Sequence, residues 1–431
     1  MARIPRHLTP KVERALGASR VVNIVGPRQV GKTILVRDLI ASAVYVTLDA
    51  DDQRSSIESD PYGQLQLLTK EGADKQLPVV IDEVQRLPDI TLALKRIVDI
   101  DDRRGQFLLT GSADIFTIGQ AMDSLAGRVM TLTLRPLSSA EIHQVGPAAI
   151  LDTVAKDPDD CLQHLPKPVI YTRGQAIDLM VRGGFPEIRS LDNPDRMDRY
   201  QSYLDSVVEK DVAVVAPIRK PDVLRRLIDQ LAHRTANELN IASICNALTE
   251  VRKETVSEYI DILRRLGIVH LLGSWTSSGT KREVKRPKIH FMDTGIATVL
   301  RGEDEDSFGT LANPTALGHV LETFVYTEIE KSLPLQSKRW SLHHYRDDDQ
   351  RKVDIIAQAP NRVLALFEMK AAATVSNNDF KHTDWFFSDR GPGAAYQGCA
   401  FVVYLGDQLL RFGPRKIAIP LSMFWSFGKQ S

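Results

Sequence analysis

Cysteine is scarce in this chain: its 431 residues include only Cys161, Cys245 and Cys399. The three lie far apart, with no metal-type spacing and no even set for a disulfide framework. That points to a reducing, cytoplasmic setting. Net charge is missing too, since 55 Lys and Arg balance 55 Asp and Glu. A bulk basic surface is thereby excluded, and any nucleic-acid contact has to come from local patches. No window reaches the roughly 18 uninterrupted apolar residues of a membrane span. Met1 to Arg6 lacks the apolar stretch of a signal peptide, so no membrane partner is expected. Internal repeats and long low-complexity tracts are absent. What remains is 43% hydrophobic and 26% charged, an ordinary globular composition with length for about three domains.

Against this plain background one stretch stands out. Gly26-Pro27-Arg28-Gln29-Val30-Gly31-Lys32-Thr33 has the form G-x-x-x-x-G-K-T, the phosphate-binding loop of nucleoside triphosphatases. Val21 to Val25 reads as a buried strand before it, and Ile34 to Ile40 as a helix after it. The two glycines let successive backbone N–H groups turn toward phosphate oxygens, and the helix N-terminus adds partial positive charge. Lys32 is expected to reach the β- and γ-phosphates, and the Thr33 hydroxyl to hold Mg²⁺. Residues 26–34, through Ile34, form the expected nucleotide contact.

Further strands follow with chemistry at their tips. Leu77 to Glu83 is an apolar strand ending in two carboxylates. Asp82 suits Mg²⁺, directly or through water, and Glu83 suits the base that polarises attacking water. Gln106 to Ser112 is another strand; Thr110 or Ser112 at its end positions water near the γ-phosphate or simply makes a strand-end turn. Val44 to Asp49 and Arg128 to Arg135 complete a strand–helix alternation over 21–135, which argues a doubly wound parallel sheet with active groups at the strands' carboxyl ends. The charged segment Asp51 to Ser59 reads as a loop. Helices are expected over residues 6–17 and 89–100.

The pieces GPRQVGKT, VVIDEVQRLPDI, FLLTGSAD and SLAGRV occur in that order. On them the chain resembles prokaryotic AAA-type ATPases that carry a C-terminal domain of unknown function. The resemblance implies ATP rather than GTP, a sensor at Ser112 and an arginine finger at Arg128. The alternative for Arg128 is a surface arginine or one paired with a carboxylate. A finger acting on a neighbouring subunit would make the protein a homo-oligomer.

Beyond the core (1–145) comes an irregular insertion and helical linker (146–235), including the turn Gly183-Gly184-Phe185-Pro186-Glu187. Residues 236–300 read as helix–turn–helix followed by a two-stranded wing, with Ile268 to Leu272 and Ile289 to Asp293 as the strands. This is the winged-helix pattern. Arg252, Lys253 and the basic stretch Lys281 to Lys288 suit DNA phosphates. The other reading is a winged helix used for packing, because Glu254, Glu258 and Asp261 make the second helix acidic.

The last part, 301–431, opens with a helix over Leu317 to Ile329. Strands follow over Trp340 to Tyr345, Lys352 to Ala357 and Val363 to Lys370. Glu368 and Lys370 are two apart and share a face, and Asp354 approaches them from the preceding strand of a hairpin. Two carboxylates and a lysine are the minimal set for metal-dependent phosphodiester cleavage, with Mg²⁺ or Mn²⁺ held by hard oxygens. Here the chain resembles the restriction-endonuclease-like superfamily, PD-(D/E)xK. That resemblance implies a C-terminal α/β fold of that type and adds Glu322 as an upstream metal-binding glutamate. Two positions depart from the pattern: Val353 replaces the proline before the aspartate, and Lys352 stands where an acidic residue belongs. A lysine there quenches or redirects metal binding. Two functions follow. One is an ATPase that gates DNA binding and cleavage. The other is a nucleotide-dependent switch whose nuclease-like end does not cut.

Overall fold

The computed structural model describes residues 4–111, 125, 127–212, 220–249, 251–277, 286–309 and 314–428. They fall into two compact units. One holds the described residues up to Pro136, with short pieces around 209–212 and at Arg265–Gly267; the other holds most of the chain from Leu137 onward.

The first unit is built on five parallel strands: β1 (Val21–Val25), β2 (Val44–Thr47), β3 (Val79–Asp82), β4 (Phe107–Gly111) and β5 (Val129–Thr133). Their order across the sheet is β2-β3-β4-β1-β5. β1 and β3 are near-continuous apolar runs, as fits parallel strands buried on both faces. The helix Ile90–Ile100 turns Ile90, Leu94, Ile97 and Val98 into the core at helical spacing. Val21↔Phe107 and Val25↔Gly111 set β1 against β4, and Ile81↔Leu109 sets β3 against β4. The phosphate-loop strand and the Asp82 strand therefore flank β4, and their carboxyl ends lie along one edge.

One expectation fails here. Asp51–Ser59 is a helix, and a second helix, Pro61–Lys75, follows it. Apolar periodicity does not announce the first; only Ile57 is buried in it. Its start is favoured instead by Asp51 and Asp52, whose charge suits a helix N-terminus. The second helix begins with Asp60 accepting a hydrogen bond from Gly63 N–H and with Pro61 in the first turn.

In the second unit Ser138 and Glu141 form the expected capping box at the head of a short helix, Ser139–Ile142. The stretch 145–170 is more ordered than its composition suggests, with a helix at Ile150–Lys156 and a 3₁₀ turn at Cys161–His164. Cys161 and Cys399 are 238 residues apart in the chain, yet their sulfurs lie 2.8 Å apart in the core.

The Gly183-Gly184 turn has a structural reason. Asp293 Oδ2 accepts from Gly184 N–H at 2.7 Å, while Oδ1 accepts from Gly295 N–H at 3.0 Å and from Tyr200 OH at 3.1 Å. Gly183 has φ +66°, and a Cβ there would collide with the Asp293 carboxylate and the Tyr200 hydroxyl. The turn is shaped to deliver backbone donors to a fully buried carboxylate, whose pKa burial pushes upward.

Helices Ile241–Leu248 and Lys253–Arg265 precede an antiparallel pair, β6 (Val269–Leu272) and β7 (Lys288–Phe291). Of the basic stretch, Arg286 and Lys288 lie among the described residues; Lys281, Arg282 and Lys285 lie outside them. After the helix Pro314–Ser332 comes a six-stranded mixed sheet. Its strands are β8 (Ser341–Arg346), β9 (Lys352–Gln358), β10 (Val363–Lys370), β11 (Gln397–Tyr404), β12 (Leu410–Gly413) and β13 (Lys416–Pro420), in the order β12-β13-β11-β10-β9-β8. β10 is central and covered on both faces. Ala365 and Phe367 pack with Phe324 and Val325 of the long helix, whereas Leu364 and Leu366 pack with Trp275, Phe380 and Phe386. Among the described residues no helix is long and apolar enough to cross a membrane.

Candidate functional site

The phosphate loop leaves β1 at Gly26. Its φ is +151°, and a Cβ would collide with the carbonyl oxygen of Leu134, so only glycine fits. Gln29 and Gly31 also have positive φ, at +61° and +95°, and the helix starts at Lys32. Just beyond Ile34 the turn over Leu35–Leu39 is a π-helix. The Lys32 side chain is buried; its ammonium donates to the carbonyls of Gly26 at 2.8 Å and Pro27 at 2.9 Å. Arg28 is half-buried, Val30 is buried, and Gln29 and Ile34 are exposed. Arg6 braces the loop from below, donating to Val30 O at 2.7 Å and Arg135 O at 2.6 Å.

Asp82, at the end of β3, is the focus of the site. It is buried, and its Oδ2 accepts from the Thr33 hydroxyl at 2.9 Å and from Tyr45 OH at 2.6 Å. The Thr110 hydroxyl donates to Oδ1, and Glu83 N–H reaches the same oxygen at 3.2 Å. Thr110 thus holds Asp82, the third possibility beside a water-positioning group and a plain turn. Tyr45 pays for its place with a pKa raised by burial and by Asp82. Glu83 follows in the left-handed region, φ +58°, with Gln85 donating to its carboxylate. Burial pushes the Glu83 pKa upward, and the Lys32 charge partly offsets this. A carboxylate with a raised pKa is suited to accept a proton from water. The set fits a nucleotide and its metal: Thr33 and Asp82 supply adjoining hard oxygens for Mg²⁺, and Gly26 gives the loop its open curl.

Ser112 lies outside the described residues. Arg128 is brought to the wrong end for its own nucleotide. Val129 pairs with Val21 in parallel register, so Arg128 stands at the amino edge of the sheet, opposite Gly26. There it pairs with Asp99. The length of β1 therefore lies between Arg128 and the phosphate loop of its own subunit.

The C-terminal constellation converges, but on lysines. Glu322 from the long helix and Asp354 from β9 both face Lys288 of β7. The Lys288 ammonium lies 2.6 Å from Glu322 Oε1 and 3.3 Å from Asp354 Oδ1. Lys352 is 3.0 Å from the same Asp354 oxygen. Asp354 Oδ2 accepts from Met369 N–H at 3.3 Å. The antiparallel pairing Phe367↔Ile355 carries Glu368 opposite Asp354 one step on. All three carboxyl groups are buried. Lys288 and Lys352 hold the Asp354 pKa well below its usual range. Burial, then the Asp354 charge, raises that of Glu322 to about 7 and that of Glu368 well above normal. His290 Nε2 is 4.0 Å from Glu322, and burial lowers its pKa.

Lys370 does not join this group; its ammonium sits 2.5 Å from Asp379. Among the described residues no group of three or more His, Cys, Asp or Glu is arranged to hold a metal ion. The expectation of a cation held by Glu322, Asp354 and Glu368 therefore meets a different geometry, in which ammonium groups lie against the carboxylates.

Arg6, Tyr45, Thr110 as a support and Lys288 were missed as site residues. Arg6 and Lys288 come from segments remote from their motifs. Tyr45 carried a readable signal, since it sits on the strand two positions before the tip residue Thr47, which pairs with Asp82.

Comparison with known families matches residues 18–143 to an AAA domain, 173–307 to a domain of unknown function (DUF8612) and 317–424 to another (DUF4143). The AAA match agrees with the parallel sheet and its phosphate loop: the first unit is a P-loop ATPase core that binds ATP. The uncharacterized proteins Rv2008c of Mycobacterium tuberculosis and Mb2031c of Mycobacterium bovis are each 30% identical over 373 residues, spanning 86% of this chain and 75% of theirs. Among solved structures, the Walker-type ATPase paby2304 of Pyrococcus abyssi is similar at 16% identity, over 68% of this chain and 94% of that one, with a TM-score of 0.41.

Proposed function

This chain belongs to the family of the mycobacterial proteins Rv2008c and Mb2031c, and from that premise we propose that it hydrolyses ATP and uses the nucleotide cycle as a switch on DNA engagement. The observation that carries the hydrolysis is the Thr33–Asp82 contact at 2.9 Å, with Glu83 adjoining. Lys32 and the loop N–H groups hold the β- and γ-phosphates. Thr33 and Asp82 would hold Mg²⁺, which when bound would supply positive charge toward the phosphate oxygens. Glu83 takes the proton of the attacking water, and Thr110 keeps Asp82 in place. Arg128 serves a neighbouring subunit if the protein assembles. Phosphate release by the purified protein in Mg²⁺, lost in Lys32→Ala, tests this; equal rates from both proteins overturn it.

DNA engagement is assigned to the winged-helix unit, from helices Ile241–Leu248 and Lys253–Arg265 and the β6–β7 pair. Duplex affinity that changes with ATP and falls steeply with salt supports it. For the endonuclease-like end, the non-cutting reading is favoured by the Lys288 ammonium between Glu322 and Asp354. Plasmid incubated with Mg²⁺ or Mn²⁺, with and without ATP, stays intact on this reading; nicking that disappears in Glu368→Ala overturns it.

A further inference from the structure

We propose that Lys288 is a tethered cation that closes the carboxylate site of Glu322, Asp354 and Glu368 to divalent metal, so that the lysine and a metal ion compete for one position. The geometry is that of an occupied cation site. One ammonium group touches a carboxylate oxygen from the long helix at 2.6 Å and one from β9 at 3.3 Å. These oxygens belong to different elements and converge on one point, as ligands of a hard cation do. The lysine arrives on β7, a separate strand whose backbone is pinned on both flanks. Leu239 N–H donates to Pro287 O at 2.8 Å, and Ala236 N–H donates to Ile289 O at 2.7 Å.

A second observation points to the same site. Glu368 is 8% exposed, and its Oε1 is buried with no hydrogen-bond partner. An ionised carboxylate oxygen left this way is costly. Glu368 stands beside Asp354 on the adjoining strand, so this unused oxygen belongs to the same cluster of carboxylates that Lys288 enters. The charges explain why. Three carboxyl groups face two ammonium groups, Lys288 and Lys352, so one carboxyl is in excess. Burial and the neighbouring Asp354 charge push the Glu368 pKa upward. A divalent ion in place of the Lys288 ammonium would supply the missing charge. This deepens the non-cutting reading of the C-terminal sheet and is separate from ATP hydrolysis.

The test uses the full chain, without nucleotide, and Mn²⁺ alone as probe, followed by electron paramagnetic resonance and by thermal melting. The wild type is expected to bind no Mn²⁺ at this site and to melt at the same temperature with and without the ion. Lys288→Gln should bind one equivalent and melt higher when Mn²⁺ is present. Lys288→Gln/Asp354→Asn should lose both effects. A folded Lys288→Gln that binds no Mn²⁺ overturns the proposal. So does one that stays unfolded in excess Mn²⁺, because the metal should restore the charge the lysine supplied. Wild-type binding as tight as the variant's, abolished by Asp354→Asn, also contradicts it. DNA cleavage plays no part in the readout, so its absence leaves the test intact.

Discussion

At the carboxyl edge of the parallel sheet, the Asp82 carboxylate is held by the hydroxyls of Thr33, Tyr45 and Thr110. In the C-terminal sheet, the Asp354 carboxylate is held by the ammonium groups of Lys288 and Lys352. Both aspartates are buried, Asp82 at the end of β3 and Asp354 near the start of β9, and each has a nearby glutamate with a raised pKa. The difference lies in the partners. Neutral donors fix the direction of Asp82 without cancelling its charge, and Lys32 donates to two neutral carbonyls. Such a site keeps its field for a charged ligand. At Asp354 the opposite charges cancel each other inside the protein, and little field is left over. A lysine, an aspartate and a glutamate near one another are therefore not enough to identify an active centre; what each charge is already paired with decides.

Removing the two aspartates should separate the regions most sharply. Asp354→Ala leaves the buried Lys288 ammonium short of a partner and should destabilise the chain by about 3–5 kcal/mol. Asp82→Ala strands only hydroxyls and should cost about 1–3 kcal/mol. Urea unfolding of both variants measures the contrast, and equal losses would break the comparison. Next in size, Glu83→Gln should slow ATP hydrolysis about 100-fold while leaving nucleotide binding in place, read by phosphate release beside a binding titration. Lys32→Ala should weaken ATP binding by about 2 kcal/mol, or about thirtyfold, as seen with a fluorescent nucleotide. The smallest effect is expected at Arg128. Arg128→Ala breaks a partly exposed pair with Asp99, worth about 0.2–1 kcal/mol. Hydrolysis by dilute, monomeric protein should not change; a rate drop seen only at high protein concentration would place Arg128 on a neighbour's nucleotide.

The nucleotide site was legible because most of it is contiguous. The loop from Gly26 to Thr33 is a single local motif, and Asp82 and Glu83 end an apolar run whose length alone marks a buried strand. The order of the strands then brings them to one edge, as the alternation of strand and helix implies. Arg6 was not legible, since only the folded sheet brings it to the loop. The helix Asp51–Ser59 was hidden for a different reason: it buries a single side chain, so its pattern looks like that of a loop. At the C-terminal end, Asp354 and Glu368 were readable from strand alternation, and Lys352 already departed from the pattern. Lys288 was read only as part of a basic wing. Its side chain turns inward because β7 pairs with β6 and sets residue 288 facing the long helix and β9, a tertiary fact with no local signature.

The most direct test of this contrast counts Mn²⁺ bound by the wild-type chain, with and without a non-hydrolysable ATP analogue. One equivalent that appears only with nucleotide and vanishes in Asp82→Ala is the predicted result. Tight binding without nucleotide, untouched by Asp82→Ala and lost in Asp354→Ala, would contradict it.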